Sequence, residues 1–294
     1  MPLFSADCLL RANAAGKNYS FVWQKVVPAA HTAGRWYDLS GYVGSPPALA
    51  YGAPALTATT LVDGVGYVTS TIPHGGSVSG YQKYLTGIEV ITHTATGAPC
   101  WLLLVDLLLY YSNCNMSSAV QQALTNVATL PRYTDGKGVM MFLVITTASG
   151  ATAHTLHTTG FTYTNTTPTA GRTIPGTVAC TASAIVAHVP YSGTAVNNFG
   201  PFIPLAAGDL GVKSVENFQL SASSTAGLAT LVLCKPLAWI NLNAAFFPQG
   251  RDYLFHVPPL PRIYDGACLN FLQFAGAATA ASTNLAAKLD FVWG

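Results

Sequence analysis

Residues 84–111 read YLTGIEVITHTATGAPCWLLLVDLLLYY, and this stretch sets the reading of the whole chain. Tyr84–Thr92 alternates like a half-buried strand, the following small residues with Pro99 supply a turn, and Cys100–Tyr111 is a strongly apolar strand. The same order returns at residues 212–240, VKSVENFQLSASSTAGLATLVLCKPLAWI. Each passage leads through a variable insert to a near-identical corner, LPRYTDGKG at 130–138 and LPRIYDGAC at 260–268. Each corner is followed by an apolar strand and a last strand, HTTGFTYTN in the first passage and AAKLDFVWG in the second. The corners match at five of seven positions, and the pattern implies an internal repeat of roughly 82 residues per unit.

Composition agrees. Of 294 residues, 13 are basic and 11 acidic, so 8% are charged, against roughly 25% in ordinary soluble domains. Glutamate occurs only at Glu89 and Glu216, while Thr, Val, Ser, Ala and Gly abound, which favours pleated strands over surface helices. The expected fold is all-β: two related jelly-roll or sandwich-like units, 81–170 and 171–294, the second including a connecting strand at Thr177–His188. The Gly- and Pro-rich residues 1–80 precede them and read as an extended N-terminal arm or irregular subdomain, with a short helix between Asp7 and Gly16. The insert at 117–130 has some helical spacing, but the second insert cannot repeat it, so strand and loop are expected there.

Several function classes lose support. The net charge is +2 with no run of Lys or Arg, which argues against nucleic acid as a partner. MPLFSADCLL lacks a basic leader, and the strongest apolar run, 101–111, is interrupted by Asp106 and shorter than the roughly 20 residues a helix needs to span a bilayer, so no membrane is expected. Six widely spaced cysteines form no CxxC pair and read as reduced, half-buried thiols, consistent with synthesis in a cytoplasm. His154 and His157 sit three apart, on opposite faces of a strand, and read as surface loop residues rather than a metal pair. The HGG at His74 has no GxSxG to serve and reads as a flexible loop. No catalytic residues, cofactor or metal are expected.

The chemistry-bearing residues that remain are structural candidates. In each corner Pro sets the backbone, Asp–Gly makes the turn, and Arg three residues before Asp can pair with it: Arg132, Asp135 and Gly136, then Arg262, Asp265 and Gly266. Asp106 and Lys235 occupy equivalent positions inside apolar strands, where a lone charge is costly, and Pro236 follows; a bulge or sheet switch is expected at both. The five Trp sit in apolar strand contexts and read mostly as core, while FVWG at the end echoes SFVWQ at Phe21, both as strands closing a sheet.

GRWYDLSGY, HGGSVS, LPRYTDGKGV, YTNTTPTAGRT, GPFIPLAAGDLGVKSV, LVLCKPLAWI and LPRIYDGACLNFL together resemble a family of structural proteins of tailed bacteriophages, in order along nearly the whole chain. The resemblance implies a virion component without catalytic residues to transfer. No window suits the long spine helix of a major capsid protein, so an auxiliary capsid protein of the decoration or cement type is expected. Its partners would be the major capsid protein and copies of itself in a homo-oligomer. A tail-associated or receptor- and glycan-binding β-protein is the alternative.

Overall fold

The computed structural model describes residues 6–64, 70–192, 200–253 and 260–294 and is nearly all β. A helix, α1 (Ala6–Ala14), carries Asp7 in its first turn; Gly16, at φ 68°, and the bond from Lys17 N–H to the Ala12 carbonyl end it. The strands that frame the molecule are β1 (Asn18–Val26), β2 (Arg35–Asp38), β3 (Lys83–Thr92), β4 (Cys100–Asn115), β5 (Gln122–Ala123), β6 (Met140–Thr147) and β7 (Thr162–Asn165). They continue with β8 (Arg172–Thr173), β9 (His188–Val189), β10 (Val212–Phe218), β11 (Leu228–Leu242), β12 (Gln249–Asp252), β13 (Cys268–Ala275) and β14 (Asn284–Trp293). The insert at 117–130 holds β5 and no helix, as its counterpart β12 would suggest.

The repeat is real in topology, but its copies are interleaved rather than side by side. The long strands β4 and β11, one from each copy, pair antiparallel at the centre. Outside β4 lies β13 of the second copy, and outside β11 lies β6 of the first. The first strand of each copy pairs with the last strand of the other: β3 with β14, and β10 with β7. The inserts follow the same rule, β12 joining β3 and β5 joining β10. Residues 81–170 and 171–294 each supply strands to every sheet. Asp106 sits directly opposite Lys235, its own counterpart, which places the pseudo-two-fold axis at that pair.

The strands within residues 18–45 are likewise built into the sheets. β1 lies between β14 and the short strand Gly44–Ser45, in register from Asn18–Val292 to Val26–Asn284, so the two FVW segments are neighbours in one sheet. β2 pairs with β13 on one side and β9 on the other, and Ala187 N–H reaches the Ile145 carbonyl beside β6, nearly closing the central sheet into a barrel. The N-terminal segment was Gly- and Pro-rich because it threads between sheets. Its alternating strands find partners only in three dimensions.

The ladder runs regularly through the charged pair and breaks close by. On the β4–β11 ladder Leu108 is passed over between Leu107 and Leu109, and Leu237 between Pro236 and Ala238. Both bulges fall two residues after the axial charges, and each inverts the phase of its strand. Leu102 and Leu104 pack beneath the sheet of β3, β14 and β1, with Trp23, Ile88, Leu289 and Phe291. Beyond the bulge Leu109 and Tyr111 pack beneath β7 and β10, with Phe161, Tyr163 and Phe218. Leu103, Val105, Leu107, Val232 and Leu272 fill the barrel, with Trp36 and Phe142. One long strand thus serves three cores, which is why Cys100–Tyr111 is apolar on both faces.

Candidate functional site

Asp106, fully buried, explains how a charge survives in an apolar strand. Arg132 Nε and Nη2 donate to its two oxygens at 2.9 and 2.7 Å, and the Cys268 amide donates to Oδ1 at 2.9 Å. Arg132 also donates to the Leu61 and Leu107 carbonyls at 3.1 and 2.9 Å. Burial pushes the Asp106 carboxyl up against the pull of Arg132, and the bidentate pair keeps the two charges together. One carboxylate therefore holds both corners, the first through Arg132 and the second through the backbone after Gly266.

The corners share a turn but not an ion pair. Gly136 and Gly266 have φ of 76° and 72°, and the Tyr133 and Tyr264 rings meet edge to face at 4.9 Å. Among the described residues neither Arg pairs with the Asp of its own corner. Arg262 is exposed and lies over the Tyr264 ring, Asp135 lies near Lys137 at the surface, and Asp265 pairs with Lys83 at 3.3 Å. Lys235 donates to the Lys137 carbonyl at 3.0 Å.

Asp265, itself exposed, caps a second cluster whose Lys83 and His74 are buried. Lys83 Nζ donates to His74 Nδ1 at 2.9 Å, to the Gly75 carbonyl at 2.8 Å and to Asp265 at 3.3 Å. His74 Nε2 donates to the Ala267 carbonyl at 3.0 Å. The HGG segment is thus anchored rather than a flexible loop: His74 is buried, and a side chain at Gly75, φ 74°, would strike Trp293. With all three ammonium protons engaged, this cluster resembles a clamp more than a catalytic group.

Sequence reading missed a third network, since its members lie on separate elements, Lys25 on β1, Asp38 on β2 and His31 in the segment between. Buried Lys25 donates to the carbonyls of Tyr42, Pro46 and Pro47 at 2.7, 2.8 and 3.1 Å, and buried Asp38 accepts from Ser40 and Tyr51. Beside it His31 donates from Nδ1 to Gln273 at 2.8 Å and accepts from the Tyr42 hydroxyl at 2.7 Å. Burial pushes the Lys25 ammonium down to about 8 and His31 down to about 4. A depressed histidine leaves the native state neutral while the unfolded chain takes up a proton. Stability from His31 is therefore whole above about pH 6.5 and is lost towards pH 4, at up to about 1.4 kcal/mol per pH unit. Urea unfolding from pH 7 to 4.5 should show this loss, and a His31→Gln variant should show a shallower slope; equal slopes would contradict it.

Other side chains also depart from the sequence reading. His154 is buried, not a surface loop residue, and no cluster of potential metal ligands occurs among the described residues. The five cysteines from Cys100 to Cys268 are buried and free, with Cys100, Cys114 and Cys180 pushed by burial up to about 12. Trp23, Trp36 and Trp293 are core, but Trp101 and Trp239 are 47% and 37% exposed and meet edge to face at 6.4 Å. Trp36 and Phe274 back them at one end of the barrel.

Exposed apolar side chains recur on the two inserts. Val120 and Val127, both 73% exposed, flank β5; Phe246 and Phe247, 58% and 65% exposed, precede β12. β5 and β12 are the edge strands of the two outer sheets, so the pseudo-two-fold axis relates one apolar edge to the other. An open groove of about 680 Å³ crosses β3, β12 and β14, lined by Glu89, Asp252 and Asp290 and by Arg251 and Lys288, with Lys288 on Asp290 at 3.0 Å. Comparison with known proteins finds no matching family model, no similar curated protein and no similar solved structure.

Proposed function

We propose that this chain is a non-enzymatic structural protein of a tailed-phage virion, a capsid decoration or cement protein that stabilises the head by bridging capsomers. The observation that carries the reading is the pair of equivalent edges, Val120 and Val127 on one and Phe246 and Phe247 on the other. A rigid body with two related apolar ends suits a partner presented twice, as in a lattice of major capsid protein. Binding the assembled lattice but not free subunits stabilises it by mass action. With 8% charged residues the contacts are apolar and hydrogen-bonded, so attachment should change little with salt. The resemblance of the sequence to phage structural proteins supports the same reading, with synthesis in the host bacterial cytoplasm and further copies of the chain as neighbours.

Cryo-electron microscopy of purified virions tests it: density for this fold is expected on the capsid surface between capsomers. A Phe246→Ser, Phe247→Ser double variant should keep the wild-type melting temperature and lose most shell attachment. Density confined to the tail would overturn the capsid assignment. The exposed Trp101–Trp239 pair favours a second reading, a tail-associated glycan binder, because aromatic faces stack on sugars. Saturable binding of cell-surface glycan that Trp101→Ala abolishes would establish it.

A further inference from the structure

A small polar pocket of about 170 Å³ lies where β2 and β9 meet on the outside of the barrel, and no residue of either apolar edge lines it. Arg35, Tyr37 and His188 line one side, and Thr32, Thr181 and Ser183 another. His188 is 3% exposed, and neither of its ring nitrogens has a hydrogen-bond partner. Arg35 Nη1 is also buried without a partner, and no ion pair among the described residues involves Arg35. Its guanidinium lies over the Tyr191 ring at 4.8 Å, which fixes the fork in place. No Asp or Glu lines the pocket.

Buried polar groups are almost always paired, so three nitrogens without a partner or accessible surface, on two residues that line one cavity, need an explanation. The cavity exceeds several times the roughly 30 Å³ share of a water molecule, and an Arg fork beside an imidazole matches an oxygen-bearing anion. We propose that Arg35 and His188 form a binding site for a small oxyanion, of the phosphate, sulfate or carboxylate class. Binding turns the Arg35 fork and the His188 ring towards the cavity, so that Arg35 donates from Nη1 to one oxygen and His188 from a ring N–H to another, with the Thr and Ser side chains completing the wall. Without an anion, burial and the charges of Arg35 and His31 hold His188 down to about 3; an anion between Arg35 and His188 opposes that effect. The inference does not depend on the virion role.

The test is titration of the isotopically labelled full chain with sulfate, phosphate and acetate, with chloride as control at constant ionic strength. A saturable shift of the His188 ring resonances and a rise in melting temperature are expected with sulfate or phosphate and absent with chloride. Arg35→Met should weaken binding roughly tenfold or more. If that variant does not fold, Arg35→Lys, which keeps the charge and loses the fork, should weaken it several-fold. A response to acetate alone would assign the site to carboxylates. Unmoved His188 resonances with every oxyanion, or undiminished binding by the folded Arg35 variant, would overturn the proposal.

Discussion

Arg132→Met is expected to destabilise the protein by about 3–5 kcal/mol, because it leaves the Asp106 carboxylate buried without its cation. The site amplifies the loss. Asp106 joins Arg132 from the first corner to Cys268 from the second, and Arg132 also satisfies the Leu61 and Leu107 carbonyls. Asp106→Leu should cost a similar amount by stranding the guanidinium. In the double variant Asp106→Leu, Arg132→Met both charges leave together, so most of the loss should be recovered. A residue of about 1–3 kcal/mol should remain, from the Cys268 amide and the two carbonyls left without partners. Urea unfolding of the four proteins closes the cycle. Single variants costing under about 1 kcal/mol would show that the cluster is peripheral to stability.

A larger effect follows from the interleaving. A chain cut between residues 192 and 200 should give two fragments that are each unfolded alone and regain β structure when mixed. The first fragment has β4 and β6 without β11 between them, and β3 and β7 without β14 and β10. The second has β11 without either neighbour. In both, apolar strands face water on edges that should be paired, so burial cannot offset the entropy of ordering. Far-UV circular dichroism and size-exclusion chromatography of fragments 1–192 and 200–294, separate and mixed, decide the point. Cooperative unfolding of residues 81–170 on their own would instead show independent units.

For the same reason, deleting residues 1–80 should unfold the body rather than free it of an appendage. β1 covers the β14 edge with Trp23 in the core, and β2 covers β13 with Trp36 in the barrel. Loss of the cooperative thermal transition is the expected outcome; an unchanged transition would restore the arm.

Much of this was legible in the chain itself. Composition and alternation settle the all-β class, since a sequence poor in Glu and Lys and rich in Thr and Val has few helix-forming surfaces. The duplicated LPRxxDG corners disclose the repeat, and the charges at Asp106 and Lys235 mark the breaks in two otherwise apolar strands. Those are local properties: turn chemistry, strand period and the cost of a buried charge act over a few residues. What only the tertiary structure decides is which strand pairs with which. Backbone hydrogen bonds are chemically alike along every strand, so side-by-side and interleaved copies present the same pattern to a reader of sequence. Arg132 could equally have bonded Asp135, three residues away; the fold brought Asp106, 26 residues away, into a drier and better-shaped place. Arg35 and His188 lie further apart still, and only the meeting of β2 with β9 makes a pocket of them.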